Sequence, residues 1–130
     1  MANRRLEMPL PDDAHLHLRD GDVLADVVAA SAASFGRAVV MPNLRPPVRT
    51  TAQALAYQAQ IIAAIPAGAA FEPMMTLYLT EATDPDEIAV AKAAGVVGVK
   101  FYPAGATTHS DAGVRDLSRV DDVLAAMAQA

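Results

Sequence analysis

The stretch Pro11-Asp12-Asp13-Ala14-His15-Leu16-His17-Leu18-Arg19-Asp20-Gly21 decides how the chain is read. It predicts a short β-strand over about Asp13 to Leu18. Alternate side chains of a strand share a face, so His15 and His17 point the same way. Two neutral imidazole nitrogens on one face can grip one transition metal. Arg19, two residues on, falls on that face too and can hold a carboxylate by two hydrogen bonds. For a lone histidine, a hydrogen-bonded core position is the more usual role. The pair, flanked by Asp13 and Arg19, reverses that weighting. A metal grip and an anion clamp on one short strand point to an enzyme acting on an acidic small molecule.

Outward from this strand the chain repeats a strand-then-helix order. Asp22 reads as a helix N-cap, followed by Val23, Leu24, Val27 and Val28 at helical spacing, with Gly36 as the stop. The apolar run Ala38-Val39-Val40-Met41 predicts a second strand. Pro42-Asn43-Leu44-Arg45-Pro46-Pro47 follows and cannot be regular, because three prolines remove donors and fix φ. Thr50 or Thr51 opens a second helix, with Leu55, Ile61, Ile62 and Ile65 on its apolar side and Pro66 and Gly68 ending it. A third strand spans about Glu72 to Thr80. Asp84-Pro85-Asp86-Glu87 starts a third helix, with Glu87 reaching back and Gly95 near its end. Val96 to Tyr102 is the fourth strand, Pro103 to Gly113 a polar loop, and a last helix begins near Asp116 or Ser118. Short apolar strands separated by helices predict βαβ units and a parallel sheet.

The composition narrows the function classes. The 130 residues are 53% hydrophobic and 19% charged, which is enough for one folded domain, read as residues 1–130. A net charge of -5 without a basic run argues against nucleic-acid binding. The absence of cysteine excludes disulfides and Cys-based zinc sites. Met1 to Pro11 carries Arg4 and Arg5 but no apolar core, so it does not read as a signal peptide. No segment approaches the roughly 20 apolar residues of a membrane helix. The expectation is a cytoplasmic protein with neither membrane nor nucleic acid as partner.

Three further groups carry candidate chemistry. Lys100 ends a strand of Val, Gly, Phe and Tyr, where an amine either snorkels to solvent or serves covalent chemistry. In a β/α protein the carboxyl ends of strands carry the active site, and Lys100 sits near one. Asn43, just beyond the second strand in a proline-stiffened loop, is either a turn residue or a hydrogen-bond partner for a polar substrate. Thr107-Thr108-His109-Ser110 is a run of donors in a loop that Gly105 and Gly113 let move, as a lid does. Arg45 and Arg49 read as solvated. Asp84, Asp86 and Glu87 read as caps and the methionines as packing.

Together these residues resemble the dihydroorotase family of the metal-dependent amidohydrolases. The resemblance rests on Asp-Asp-Ala-His-Leu-His-Leu-Arg-Asp-Gly at the first strand and Val-Val-Met-Pro-Asn-Leu at the second. Met-Thr-Leu-Tyr-Leu-Thr at the third and Val-Lys-Phe-Tyr-Pro-Ala-Gly-Ala-Thr-Thr-His-Ser at the fourth extend it. It runs from about Pro11 onward and is closest to the compact bacterial and yeast-like class. It implies a TIM (β/α)8 barrel that interconverts N-carbamoyl-L-aspartate and (S)-dihydroorotate in pyrimidine biosynthesis. It implies two zinc ions per complete site, with His15 and His17 as metal ligands and a carbamylated Lys100 bridging both metals. It also implies that Arg19 and Asn43, beside His17, bind substrate. Thr107 and Thr108 join Lys100 as catalytic residues, in a loop closing over the substrate. A homodimer is a possible assembly.

A β/α barrel typically takes about 250 residues and eight strands. Four are legible here, so the expected fold is α/β, the first four units of a half barrel. The resemblance places further histidine ligands on the fifth and sixth strands and an aspartate on the eighth, beyond Ala130. His109 is not counted among the ligands. The chain alone is therefore expected to be inactive. Two alternatives stand beside this reading. One is another cyclic-amide hydrolase, such as a dihydropyrimidinase or allantoinase. The other is a non-catalytic metal-binding or assembly subunit.

Overall fold

The apolar runs form four parallel strands, β1 (Asp12–Leu16), β2 (Arg37–Val40), β3 (Glu72–Tyr78) and β4 (Gly98–Lys100), side by side in that order. A computed structural model describes residues 5–130, so Arg4 lies outside the described residues. The crossovers are α1 (Leu24–Ala32), α2 (Thr51–Ala64) and α3 (Asp86–Ala93). After β4 come a single 3-10 turn (Leu117–Val120) and α4 (Asp121–Gln129). This is the expected half barrel, and parallel pairing puts every strand's carboxyl end on one side.

Register is set where the strands begin. Asp12 pairs with Arg37, and Arg37 with Glu72. Arg37 grips Asp12 with two hydrogen bonds, at 3.1 and 2.5 Å. Opposite charges face each other across the sheet, and a one-residue slip would break the pairing as well as turn every side chain over. Beyond Asp13 the β1–β2 register shifts, so Asp13 to Leu16 on β1 spans only Ala38 to Val40 on β2. The extra residue is a bulge, lying between Asp13 and Leu16.

The main core lies where α1 and α2 cover the sheet. It is built on Leu18, Val28, Val40, Ala54, Ile61 and Leu77, all fully buried. Each large apolar side chain among them stabilises the fold by about 1.5–3 kcal/mol. A smaller cluster of Leu79, Ile88, Val120 and Val123 seats α3 and α4.

Several local expectations change. β1 ends at Leu16, so His17 and Arg19 lie beyond the strand. Asp22 sits inside a 3-10 turn (Gly21–Val23) rather than capping α1. Gly36 is not a helix stop: α1 ends at Ala32, and the Gly36 backbone bridges Pro11 and Glu72 instead. On α2 the buried face is Thr51, Ala54, Tyr57 and Ile61, while Leu55 and Ile62 are exposed. Glu87 does not reach back along α3. Its carboxylate accepts from the Thr51 backbone N–H and hydroxyl at 2.6 and 2.5 Å, capping the neighbouring helix. Met41 and Met75 are buried, but Met8 is exposed. Thr50 caps α2 with a full capping box to Gln53, and Gly95 follows α3 with a φ of 85°, both as expected.

Candidate active site

At the carboxyl end of the sheet, His15, His17, Arg19, Asn43, Tyr102, Thr107 and Thr108 line one cavity of about 320 Å³. Six of these seven are sequence-predicted site residues, brought from three separate stretches. The volume suits a small metabolite. A second hollow, of about 270 Å³ beside α3, β4 and α4, is mostly apolar and contains none of them.

The Nε2 atoms of His15 and His17 are 3.2 Å apart, and the rings are tilted by 40° with centroids 5.2 Å apart. Two nitrogens each about 2.0–2.1 Å from a tetrahedral zinc stand about 3.3 Å apart. The donor pair therefore fits one ion. Among the described residues no group of three or more His, Asp or Glu side chains could hold a metal, so the pair fills only part of a coordination shell. Partial burial pushes the His17 imidazole pKa below the ordinary histidine value. The charges of His15, Arg19 and Lys100 add to the shift, and the Asn43 side chain opposes it. A neutral imidazole is the form that binds metal.

Arg19 has a φ of 66°, rare outside glycine, and the Tyr57 hydroxyl donates to its carbonyl. Tyr57 is held by α2, so the core fixes the backbone that aims the guanidinium. Burial pushes the Tyr57 phenol far up, which keeps it a donor. Arg19 makes no ion pair among the described residues. Asn43 is buried, and its Oδ1 has no hydrogen-bond partner. A buried polar atom without a partner is costly and marks a place for a ligand.

Lys100 does not line the cavity. Its Nζ stands 5.0 Å from the centre of the Tyr102 ring, a cation–π contact, and Tyr102 in turn stacks on Tyr78 with centroids 5.4 Å apart. The loop after β4 is tightly tied. Ser110 is fully buried; its hydroxyl donates to the Thr107 carbonyl at 2.6 Å and accepts from the Thr107 N–H at 2.8 Å. At the far end, the Glu81 carboxylate accepts from the Arg115 and Asp116 N–H groups at 2.8 and 2.9 Å. Gly113 is not a hinge. A Cβ there would lie 2.3 Å from the Tyr102 carbonyl oxygen, so glycine permits the close approach of two backbones. Sequence reasoning missed Tyr57, Tyr102 and Glu81, which act through contacts distant in sequence.

Four β/α units with polar groups gathered at the strands' carboxyl ends form half of a β/α barrel. The chain is similar to one part of the dihydroorotases. Over 118 residues it is 66% identical to the dihydroorotase of Ralstonia nicotianae, covering 90% of the chain and 34% of that protein. It is 61% identical to that of Alkalilimnicola ehrlichii over 127 residues, covering 97% of the chain and 37% of the relative. The crystal structure of dihydroorotase from Campylobacter jejuni superposes with a TM-score of 0.84 at 39% identity, covering 92% of the chain and 35% of that structure. Dihydroorotase from Saccharomyces cerevisiae, solved in complex with 5-fluoroorotic acid, gives 0.83 at 33% identity, covering 92% and 33%. No family model matches the chain. The chain thus spans about a third of the length of the dihydroorotases it matches. No helix among the described residues is long and apolar enough to cross a membrane.

Proposed function

We propose that this half barrel carries the metal-gripping and carboxylate-binding side of a dihydroorotase site, acting on N-carbamoyl-L-aspartate and (S)-dihydroorotate. The observation that supports this most is the shared cavity of His15, His17, Arg19 and Asn43, with convergent imidazoles on one wall and an unpaired cation on another. In this reading residues 1–130 act as one unit, in the cytoplasm, and a homodimer is one assembly open to it.

His15 and His17 would hold zinc through their Nε2 atoms. Lys100, carbamylated, would be a further oxygen ligand. The remaining ligands come from residues outside this chain. Zinc supplies a polarising charge that makes water a usable nucleophile near neutral pH. Arg19 binds the substrate's α-carboxylate in a bidentate pair, and the Asn43 side chain donates to the same carboxylate or accepts from the ring N–H. Holding that end fixes the amide carbon opposite the imidazole pair. Thr107 and Thr108, on the turn that Ser110 ties, cover the substrate from the loop side and exclude water.

The test is a matched pair of ligands. Titration calorimetry of the zinc-loaded chain compares N-carbamoyl-L-aspartate with N-carbamoyl-β-alanine, which lacks only the α-carboxylate. The expected result is about 10-fold or greater preference for the first, the worth of a charge-assisted bidentate contact. Equal binding contradicts the proposal and favours a hydrolase of uncharged cyclic amides.

A further inference from the structure

The tip of the loop after β4 is fastened to the rest of the site at one residue. His109 Nδ1 lies 3.2 Å from the Asn43 backbone carbonyl oxygen, and the Tyr78 hydroxyl donates to the His109 carbonyl at 3.2 Å. A carbonyl oxygen only accepts, so Nδ1 carries the hydrogen and His109 is the donor. The residue is half-buried and holds a φ of 59°, a left-handed conformation that is uncommon outside glycine and in which asparagine, aspartate and histidine are enriched. Nothing in Thr107-Thr108-His109-Ser110 requires an imidazole for the turn itself, because Ser110 closes that turn on Thr107. The ring instead reaches a residue 66 positions earlier in the chain.

We propose that His109, with Tyr78, is a positioning residue that latches the loop to the Asn43 segment. Its ring ties the loop tip to the backbone of a residue whose side chain lines the cavity. Its carbonyl ties the same tip to Tyr78, which is fully buried and stacked on Tyr102. The latch therefore links the Thr107 and Thr108 hydroxyls, the Asn43 amide and the Tyr102 ring into one unit. Opening the loop breaks both hydrogen bonds at once. A ligand that needs the Thr107–Thr108 side and the Asn43 side together binds best when the latch is shut. The ligand part of this inference rests on the carboxylate-binding reading above; the latch itself does not.

Two measurements on the zinc-loaded chain test it. One is the rate of proteolytic cleavage within residues 103–113, and the other is the Kd for 5-fluoroorotic acid. His109→Ala and Tyr78→Phe are each expected to speed cleavage and to weaken binding about 2- to 10-fold, the worth of one hydrogen bond. His109→Asn, which suits the positive φ and offers an amide donor, stays within about twofold of the parent. His109→Gly separates backbone relief from the ring. It suits φ better than histidine, so a purely conformational role predicts a parent-like loop, whereas the latch predicts faster cleavage. Parent-like cleavage in both His109→Gly and Tyr78→Phe overturns the proposal. If the parent chain fails to bind 5-fluoroorotic acid, the carboxylate reading fails, and cleavage alone still decides the latch. Should His109→Ala not fold, Tyr78→Phe decides the matter by itself, since it deletes only one hydroxyl.

Discussion

The Nε2 atoms of His15 and His17 converge to 3.2 Å although one residue belongs to β1 and the other lies beyond its end. A bulge between Asp13 and Leu16 accompanies this meeting. It predicts that the isolated chain takes up zinc through this pair. His15→Ala and His17→Ala are each expected to weaken zinc binding at least 10-fold by competition with a chromophoric chelator, as lost ligands do. A scaffold without metal predicts no uptake in any variant.

The same pair predicts a titration. Burial and the neighbouring positive charges hold His17 below the ordinary histidine pKa, so the folded state favours the neutral ring. The unfolded chain then binds more protons than the folded one as pH falls through the ordinary histidine range. His17's contribution to stability is full above that range and is lost on acidification towards the folded pKa. Proton NMR of the imidazole should show His17 titrating below 6.5, and His15→Ala should move it upward. A titration at or above the ordinary value contradicts the geometry.

Glu81 predicts acid loosening of the loop's far end. Hydrogen bonds from the Asp116 and Arg115 backbones, with Arg119 nearby, hold its carboxyl below the ordinary glutamate value. The contribution is therefore full above that value and is lost as pH falls through the lowered one. Hydrogen exchange at the Arg115 and Asp116 amides should quicken over that window. Glu81→Ala should exchange fast at neutral pH and lose the dependence. Because Asp116 is also held low, by Ser118, the difference between parent and variant isolates Glu81. Identical exchange in both would show that the clamp does nothing.

Gly113 predicts a steric effect. In Gly113→Ala the new methyl meets the Tyr102 carbonyl, the Ser110 carbonyl and the Ala104 nitrogen, all of them backbone. Overpacking of this kind destabilises by about 1–3 kcal/mol, measurable by urea unfolding. The displacement also reaches Tyr102, so ligand binding should weaken along with stability. Unchanged stability would mean that the two backbones are not held together as described.

The sequence carries the strand order, the carboxyl-end location of the site and most of its lining because those follow from local periodicity and from chain polarity. His15, Arg19, Asn43 and Thr107 announce themselves by type and place. What it does not carry is tertiary. The face of α2 that packs on the sheet is set by tertiary contacts, so Tyr57 and Ala54 go inward while Leu55 and Ile62 face solvent. Tyr57 reads locally as another helix residue, yet it pins the Arg19 backbone. Glu87 carries a genuine capping signal and directs it to α2 rather than to its own helix. Lys100 reads from its place at a strand end as a site residue, and nothing local tells that its ammonium stands against the Tyr102 ring beside the cavity. No pattern within a window of a few residues encodes such pairings.

The central claim is that Arg19, in the cavity with the two histidines, reads a carboxylate. The most direct measurement is the ratio of Kd values for 5-fluorouracil and 5-fluoroorotic acid, which differ by one carboxylate, in the zinc-loaded chain and in Arg19→Gln. The account predicts a preference for the acid of about 10- to 100-fold in the parent, collapsing towards unity in the variant, as loss of a charge-assisted bidentate pair requires. A preference that survives in Arg19→Gln, or none in the parent, would contradict it.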